Sequence, residues 1–299
     1  MEAIETMDNG VNLIVECDIP EIAKTEPCCL GIDEAGRGPV LGPMVYGTCF
    51  SPVSQKDYLK ELGFADSKTL NEEQREQLFE KIVENQDKIG WIVDILSPNS
   101  ISNGMLRRSK YNLNELSHDT AIGLIKRAIA GGANITEVYV DTVGPPEKYQ
   151  AKLKGIFPQL DITVAKKADA TYPIVSAASI CAKVARDRAV KLWKFKEKIE
   201  LDSDNYGSGY PADPNTKKFM SSSMDTVFGF PQFVRFSWST ASKILEDKAV
   251  PVSWEDDDEE EENSSKKAPS VKGFFQVKEN PARKNIYFTE RHLKQVSGF

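Results

Sequence analysis

The stretch from Ile32 to Pro39 constrains the fold of this chain more than any other segment. An apolar run, residues 28–32, meets two adjacent acids and a Gly-Arg-Gly turn there. The run predicts a buried β-strand. Successive strand residues point to opposite faces, so Asp33 and Glu34 can share one site only where the regular pleat stops. Glycines on both sides of Arg37 permit positive φ and close approach of a ligand. Alone, the stretch fits a metal that holds a phosphodiester, and it fits more simply an acidic turn that closes a hairpin.

Composition places the chain among soluble globular enzymes. It has 299 residues, of which 40% are hydrophobic and 28% charged. No apolar run approaches the roughly 18–20 residues that span a bilayer, and the start of the chain lacks a signal pattern, so we expect an intracellular protein with no membrane contact. The five cysteines include no C-x-x-C pair. We therefore interpret all five as packing residues in a reducing compartment.

Charge is segregated along the chain. The net charge of −7 does not suggest a nucleic-acid ligand. However, residues 165–198 hold nine basic side chains against three acids, whereas acids dominate the first 27 residues and the run 255–262. We therefore predict an acidic, loosely ordered N-terminal arm over 1–26, a folded domain over 27–250 and an acidic, disordered tail over 251–299. The nine basic residues are Lys166, Lys167, Lys183, Arg186, Arg188, Lys191, Lys194, Lys196 and Lys198.

Hydrophobic periodicity predicts antiparallel strands first and helix–strand alternation afterwards. This order indicates a mixed sheet with helices on its faces. A capping box from Thr69 to Glu72 is predicted to start the first long helix. The small residues early in the helix over 176–195 predict close packing on the sheet. We predict strands over 40–50, 90–96, 137–141 and 162–165, and helices over 113–130, 176–195 and up to about residue 247.

Four acids follow or end predicted strands: Asp33, Glu34, Asp141 and Asp169. Clustered carboxylates repel one another unless a cation neutralises them, and Mg²⁺ or Mn²⁺ prefers such oxygen ligands. Two such ions about 3.5–4 Å apart can activate water and stabilise the leaving oxygen of a phosphodiester. Glycoside hydrolysis also uses paired carboxylates, but it does not explain the Gly-Arg-Gly turn or the basic stretch. The residues alone make metal-dependent phosphoryl chemistry plausible and leave the substrate open.

Several long motifs occur in one order along the chain. They are GIDEAGRGPV at 31–40, DSK at 66–68, VD at 140–141, KAD at 167–169, SAASICAKVARD at 176–187, YGSGYP at 206–211 and FGFPQFVRFSW at 228–238. These motifs resemble those of the type 2 ribonuclease H family. The resemblance covers about residues 28–248, and its last two segments look like those of eukaryotic catalytic subunits.

The resemblance implies a fold and a set of site residues. The fold is an RNase H-like α/β domain, with a mixed five-stranded sheet flanked by helices and a helical C-terminal extension. By motif position, Asp33, Glu34, Asp141 and Asp169 would ligate two Mg²⁺ or Mn²⁺ ions. The backbone of Gly36, Arg37 and Gly38 would contact the ribose 2′-hydroxyl, and Tyr210 would pack on the sugar. Asn112, Lys183 and Arg186 would position phosphates, although Arg186 could equally belong to a structural ion pair.

The resemblance also implies an activity and partners. Family members cleave the RNA strand of RNA/DNA hybrids, and they cut 5′ of single ribonucleotides in duplex DNA, which leaves a 3′-hydroxyl and a 5′-phosphate. Eukaryotic members act in a nuclear complex with two accessory subunits that dock largely through the C-terminal region. Val271, Phe274 and Phe275 resemble a sliding-clamp-binding peptide, although Ala268 stands where such peptides carry glutamine. Two other functions stay open: a non-catalytic subunit that binds hybrids, and a DNA exonuclease on the same fold.

Overall fold

The computed structural model describes residues 1–64, 70–197 and 206–251. Residues 1–250 form one compact unit. Several predicted features lie outside the described residues: the Asp66-Ser67-Lys68 motif, the predicted tail from residue 252 onward and, within it, the clamp-like segment with Val271, Phe274 and Phe275. Among the described residues, no helix combines the length and the apolar composition needed to cross a membrane.

A six-stranded mixed sheet forms the centre of the fold. Its strand order is β1-β4-β3-β2-β5-β6; β2, β5 and β6 run parallel, and the other neighbouring pairs are antiparallel. This confirms the predicted mixed sheet, the hairpin of the first two predicted strands and the later parallel strands. The strands are β1 Leu13–Glu16, β2 Cys28–Ala35, β3 Met44–Pro52, β4 Gly90–Leu96, β5 Ile135–Asp141 and β6 Asp161–Ala165.

The sheet has six strands rather than the expected five, because the N-terminal arm contributes β1. Leu13 pairs with Ile95 and Glu16 with Ile92 of β4. Arg127 donates to the Glu16 carboxylate and so ties this edge strand to the helix over 113–130. The prediction of a loosely ordered arm over 1–26 was therefore wrong for this strand. Its stability comes from pairing with a strand far along the chain, which local periodicity does not report.

The helices lie on both faces of the sheet and in a C-terminal extension. The predicted helix over 113–130 is confirmed to the residue, and the predicted helical extension is present as α9 and α10. The helices are α1 Glu21–Thr25, α2 Lys56–Glu61, α3 Glu72–Glu84, α4 Pro98–Leu106, α5 Leu113–Ala130, α6 Pro146–Ile156, α7 Ala168–Thr171, α8 Pro173–Lys191, α9 Pro214–Ser223 and α10 Ser239–Lys248; short 3₁₀ turns span Glu2–Ile4 and Val53–Gln55.

Helix starts account for most differences between the prediction and the structure. Helices α4, α6 and α9 were not predicted, and each has proline in its first turn, where the missing N–H costs nothing. The capping box of α3 is formed by Asn71 and Gln74, which exchange backbone and side-chain hydrogen bonds, and not by Thr69 and Glu72. Thr69 itself lies in the gap between residues 64 and 70.

Helix α8 packs unusually close to the middle of the sheet, as its small residues predict. A β-carbon on Gly31 would overlap the carbonyl of Ile174, and one on Gly47 would overlap the carbonyl oxygen of Ala178. The residues of α8 from Ala177 to Ala182 are fully buried. The opposite face of the sheet packs on α5 and α6. The extension covers the loop after β2, where Val40 and Leu41 cluster with Phe219 and Phe233.

We expect Gly47→Ala to lower the free energy of unfolding by about 3 kcal/mol, because backbone atoms of α8 must move away from β3. Urea titration of the full chain measures this loss. Gly123→Ala is the matched control, since a β-carbon there meets open space on α5. That control should stabilise the protein by about 1 kcal/mol through helix propensity. Equal unfolding midpoints for the two variants would contradict the close packing.

Candidate active site

The parallel pair β2 and β5 brings two of the four predicted acids side by side. Ile32 pairs with Val140, so Asp33 and Asp141 follow next to each other on neighbouring strands. Asp33 is buried, and the hydroxyl of Ser179 on α8 hydrogen-bonds to its carboxylate. The backbone N–H of Ala168 donates to Asp141 Oδ1 at 2.8 Å. This bond fixes the start of α7, the helix that carries Asp169, against the end of β5.

The turn into α7 has a strained backbone, which helps to place Asp169. Lys167 has a φ of 55°, a left-handed conformation that non-glycine residues adopt rarely, at a cost of order 1–3 kcal/mol. The next two residues, Ala168 and Asp169, are buried. The chain therefore turns sharply after β6 and directs Asp169 into the space beside Asp33.

The charges of neighbouring acids act on Asp33 and on Glu34. Burial raises the pKa of Asp33 to about 7; Ser179 and the N–H of Glu34 oppose this, and the charges of Asp141 and Asp169 add to it. Burial and the charge of Asp33 raise the pKa of Glu34 to about 8, with a further contribution from Asp141 and an opposing one from Arg37. A bound cation would relieve this repulsion between carboxylates.

Glu34 lies on the other side of the sheet from Asp33, because β2 keeps its pleat through Ala35. The Ser179 hydroxyl faces Asp33, whereas Glu34 lies towards Arg37 and Tyr46. In the described ranges, no three His, Cys, Asp or Glu side chains are arranged to hold a metal ion as they stand. The carboxylates would have to rotate to share one ion. Their chemistry nevertheless fits a hard divalent cation, since all donors are oxygens and Glu34 Oε2 is buried without a hydrogen-bond partner.

The Gly-Arg-Gly turn is held from beneath by a buried arginine. Arg235 donates to the carbonyl oxygens of Gly36 at 2.6 Å, Arg37 at 3.1 Å and Gly42 at 2.8 Å. The indole N–H of Trp238 donates to the carbonyl oxygen of Gly38 at 3.3 Å. All three carbonyls of the turn are therefore occupied, which leaves its backbone in one fixed shape.

Tyr210 lies directly beside this turn. A β-carbon on Gly38 would stand 3.2 Å from Cε1 of Tyr210, whose side chain is 53% exposed. The carbonyl oxygen of Gly209 accepts from the N–H of Val40 at 2.8 Å, which ties the two loops together. Asp213 accepts hydrogen bonds from the Ser208 backbone and hydroxyl, and these bonds lower its pKa to about 2. The structure thus brings an accessible ring and a bare turn to one surface.

Comparison with known proteins shows the family to which the chain belongs. A family model described as Ribonuclease HII matches residues 30–241. The chain is 53% identical over 293 residues to a curated subunit of ribonuclease H2 from Bos taurus, and the match covers 97% of each chain. The chain belongs to the type 2 ribonuclease H family. It is therefore a hydrolase of the endoribonuclease class.

Solved structures of the family share the fold. Ribonuclease H2 from Pyrococcus horikoshii OT3 is 34% identical with a TM-score of 0.61, and the match covers 74% of this chain and 98% of that one. RNase HII from Archaeoglobus fulgidus, solved in a complex with PCNA, is 31% identical with a TM-score of 0.58 and covers 77% and 99%. The RNase H-like class predicted from the motifs is thereby confirmed.

The three residues predicted to position phosphates in this ribonuclease have different surroundings. Asn112 caps α5, where its side chain accepts from the N–H groups of Asn114 and Glu115. Lys183 lies one turn after Ser179 on α8, on the face that meets Asp33. The guanidinium of Arg186 packs against Gly36, close to Arg235. Phosphate contacts by these residues stay predictions.

The basic stretch over 165–198 is partly neutralised within the fold. Arg188 pairs with Glu76 on α3, and Lys196 pairs with Asp8 of the N-terminal arm at 2.6 Å. Lys194 donates to the carbonyl oxygen of Glu5 at 3.4 Å. Lys198 falls outside the described residues. The stretch therefore offers less free positive charge to a nucleic acid than its composition suggests.

Sequence reasoning missed two residues that shape this site. Ser179 was interpreted only as a small packing residue, yet it bonds to Asp33. Arg235 was noticed only as part of a motif, yet it is fully buried, and burial beside Arg186 lowers its pKa to about 9. A charged residue within an otherwise apolar run, FVRF at 233–236, was the available signal for a buried, hydrogen-bonded cation.

We expect Arg235→Lys to lower the free energy of unfolding by about 2–4 kcal/mol and the cleavage rate at least tenfold. A lysine cannot donate to three carbonyl oxygens in the planar arrangement that the guanidinium uses, so buried acceptors lose their donors. Thermal unfolding and single-turnover cleavage measure the two effects. Arg127→Lys is the matched control, because that arginine is exposed and pairs only with Glu16 among the described residues. Wild-type cleavage by Arg235→Lys would contradict the role assigned to Arg235.

Proposed function

We propose that this chain is a divalent-metal-dependent endoribonuclease that hydrolyses the RNA strand of RNA/DNA hybrids and cuts 5′ of single ribonucleotides in duplex DNA. The observation that carries the proposal is the placement of Asp33 beside Asp141 on neighbouring strands, with the charges of Asp141 and Asp169 adding to the raised pKa of Asp33 and those of Asp33 and Asp141 adding to that of Glu34. Buried like charges at the ends of neighbouring strands are costly in themselves, and they match the ligand preference of Mg²⁺ and Mn²⁺.

The four carboxylates would hold the metal, with two ions as the family resemblance implies. Bound divalent ions supply the activation of water and the stabilisation of the leaving oxygen, which leaves a 3′-hydroxyl and a 5′-phosphate. The protein itself places and orients the carboxylates. The bond from Ala168 to Asp141 holds α7 near β5, and the Ser179 hydroxyl orients the Asp33 carboxylate.

Selection of ribose is proposed for the turn and the tyrosine beside it. The backbone of Gly36, Arg37 and Gly38 is bare of β-carbons at both glycines and is fixed by Arg235 and Trp238. The half-exposed ring of Tyr210 lies over Gly38. A ribose that enters this space would meet rigid backbone on one side and an aromatic face on the other. The 2′-hydroxyl is the group that distinguishes RNA from DNA at such a contact.

Accessory subunits are proposed as partners, since the Bos taurus relative at 53% identity is itself named as one subunit of an enzyme. An apolar patch in the C-terminal part of the compact unit suits such a contact. Phe228 is 88% exposed at the tip of a turn that Asp225 and Gly229 close with two backbone hydrogen bonds. Val250 donates to the carbonyl oxygen of Thr226 beside it and is also exposed. A nuclear location is proposed from the resemblance alone.

Sliding-clamp binding through Val271, Phe274 and Phe275 is proposed from two supports. One is the aliphatic–diaromatic spacing of the segment. The other is the relative from Archaeoglobus fulgidus, which was solved in a complex with PCNA. The segment itself is beyond the part of the chain that the structure describes.

The proposed function is tested with the full chain in its assembly with accessory subunits. Three end-labelled duplexes are compared, each with Mg²⁺ and with EDTA: an RNA/DNA hybrid, a DNA duplex with one ribonucleotide and an all-DNA duplex. We expect Mg²⁺-dependent cleavage of the first two, with a single cut 5′ of the lone ribonucleotide and a 3′-end that a DNA polymerase extends. Cleavage of the all-DNA duplex, or equal cleavage in EDTA, would contradict the proposal.

A further inference from the structure

Buried tyrosine side chains lie near Glu34, and the proposed reaction gives them no role. Glu34 lies opposite Tyr46 in the pairing of β2 with β3. Tyr46 and Tyr149, a residue of α6, pack in the same buried cluster on this side of the sheet, where burial raises the pKa of both hydroxyl groups and the Glu34 charge adds to it. Both tyrosines are at least 98% buried, since only 2% and 1% of their surfaces are exposed. The three side chains therefore share one interior region on the α5 and α6 side of the sheet.

This region contains two hydroxyl donors and a carboxylate acceptor that form no hydrogen bond with one another. Glu34 Oε2 and the hydroxyl groups of Tyr46 and Tyr149 are buried, and none has a hydrogen-bond partner among the described residues. Ser117, which faces the Tyr46 hydroxyl, donates to the carbonyl oxygen of Leu113 at 2.8 Å and accepts from Arg37 at 3.1 Å, so its oxygen keeps one acceptor site. The Glu34 carboxylate is the acceptor in this region with the capacity to accept from both tyrosine hydroxyls.

Buried hydroxyl groups without hydrogen-bond partners lower the stability of the fold. A buried hydroxyl without a partner costs about 1–3 kcal/mol, whereas phenylalanine would fill the same space at no such cost. Two such hydroxyls beside one buried carboxylate oxygen destabilise the metal-free fold. The penalty ends when the carboxylate rotates so that the hydroxyls donate to it.

We propose that Tyr46 and Tyr149 are positioning residues for Glu34, whose hydroxyls donate to its carboxylate when it ligates the divalent ion and so fix its orientation. The proposal rests on the metal site of the proposed function. Hydrogen bonds to the outer atoms of metal ligands orient those ligands, and their loss weakens metal binding about 10- to 100-fold.

The test is calorimetric titration of the full chain with Mn²⁺ in the absence of nucleic acid, together with thermal unfolding in EDTA. The double variant Tyr46→Phe with Tyr149→Phe is compared with both single variants. Tyr58→Phe is the matched control, because its hydroxyl donates to Asn85, the residue after α3, at 2.6 Å. We expect the Kd for Mn²⁺ to rise at least tenfold in the double variant, while its Tm in EDTA stays equal to that of the wild type or rises. The control should keep the wild-type Kd.

Two results would overturn the role of the tyrosines without contradicting the metal site of the proposed function. An unchanged Kd in the double variant, with tight wild-type binding that Asp169→Asn abolishes, would leave the metal site intact and remove the role of the tyrosines. A fall of Tm in EDTA in both single variants with an unchanged Kd would show that the hydroxyls serve the fold. Absence of Mn²⁺ binding by the wild type would contradict the metal site itself, and this proposal with it.

Discussion

Asp33→Asn is expected to lower the rate of cleavage by about 1,000-fold or more and, at the same time, to stabilise the metal-free protein. The loss of activity follows because Asp33 is buried at the end of its strand and interacts with both Asp141 and Asp169. Removal of one member of a catalytic group that acts as a unit typically costs this much. Single-turnover cleavage of a ribonucleotide-containing duplex in Mg²⁺ measures the effect.

The gain in stability follows from the sign of the pKa shift. Burial raises the pKa of Asp33 from its usual value of 3.8 to about 7 in the folded protein. Between these values the folded state binds more protons than the unfolded state, so stability falls as pH rises from about 4 to about 7. Asparagine carries no charge and escapes this loss. We expect its Tm in EDTA at pH 8 to exceed that of the wild type by at least about 3 °C.

Asp57→Asn is the matched control for both effects. Asp57 is exposed, and its hydrogen bond with Lys60 lowers its pKa, which is the opposite shift. This variant should cleave at the wild-type rate and should not gain stability at pH 8. If Asp33→Asn behaved in the same way, the carboxylate of Asp33 would have no part in catalysis.

Gly36→Ala is expected to reduce cleavage about 100-fold and to lower the free energy of unfolding by about 1–3 kcal/mol. Gly36 has a φ of 75°, which alanine adopts only under strain. An added β-carbon would also overlap the side chain of Arg186 and stand 2.8 Å from the carbonyl oxygen of Pro43. The turn would therefore shift relative to Asp33 and Tyr210. Cleavage assays and urea titration measure the two losses.

Gly63→Ala separates backbone strain from displacement of the turn. Gly63 has a φ of 81°, close to that of Gly36, but an added β-carbon meets no atom of the described residues within 4 Å. This variant should lose about 1 kcal/mol of stability and keep full activity. Equal activity of the two alanine variants would show that the shape of the Gly-Arg-Gly turn does not limit the reaction.

Local sequence signals predicted the parts of this fold that depend on local rules. The strands that end at Asp141 and before Lys166, and the helix Leu113–Ala130, follow from periodicity and capping. The edge strand Leu13–Glu16 did not, because four residues with one acid become a strand only by pairing with β4. The helices α4, α6 and α9, which begin at proline, were not predicted from periodicity.

The members of the candidate site could be proposed from the sequence, whereas the residues that support them could not. The four acids stand out since each follows or ends a predicted strand. Arg235 could not be assigned from spacing, because its acceptors are about 200 positions away in the chain. Glu34 shows a second limit of prediction from sequence, which concerns the direction of a side chain. Its type and position indicate a ligand, yet only the structure shows that the pleat turns it towards Tyr46 and Tyr149.

The central claim is that Asp33, Glu34, Asp141 and Asp169 together hold a divalent ion. Anomalous diffraction from crystals of the protein soaked in Mn²⁺ tests it most directly. The account predicts at least one strong peak bounded by oxygen atoms of these carboxylates, and its loss in crystals of Asp169→Asn. Crystals that take up Mn²⁺ elsewhere and show no peak among the four side chains would contradict it.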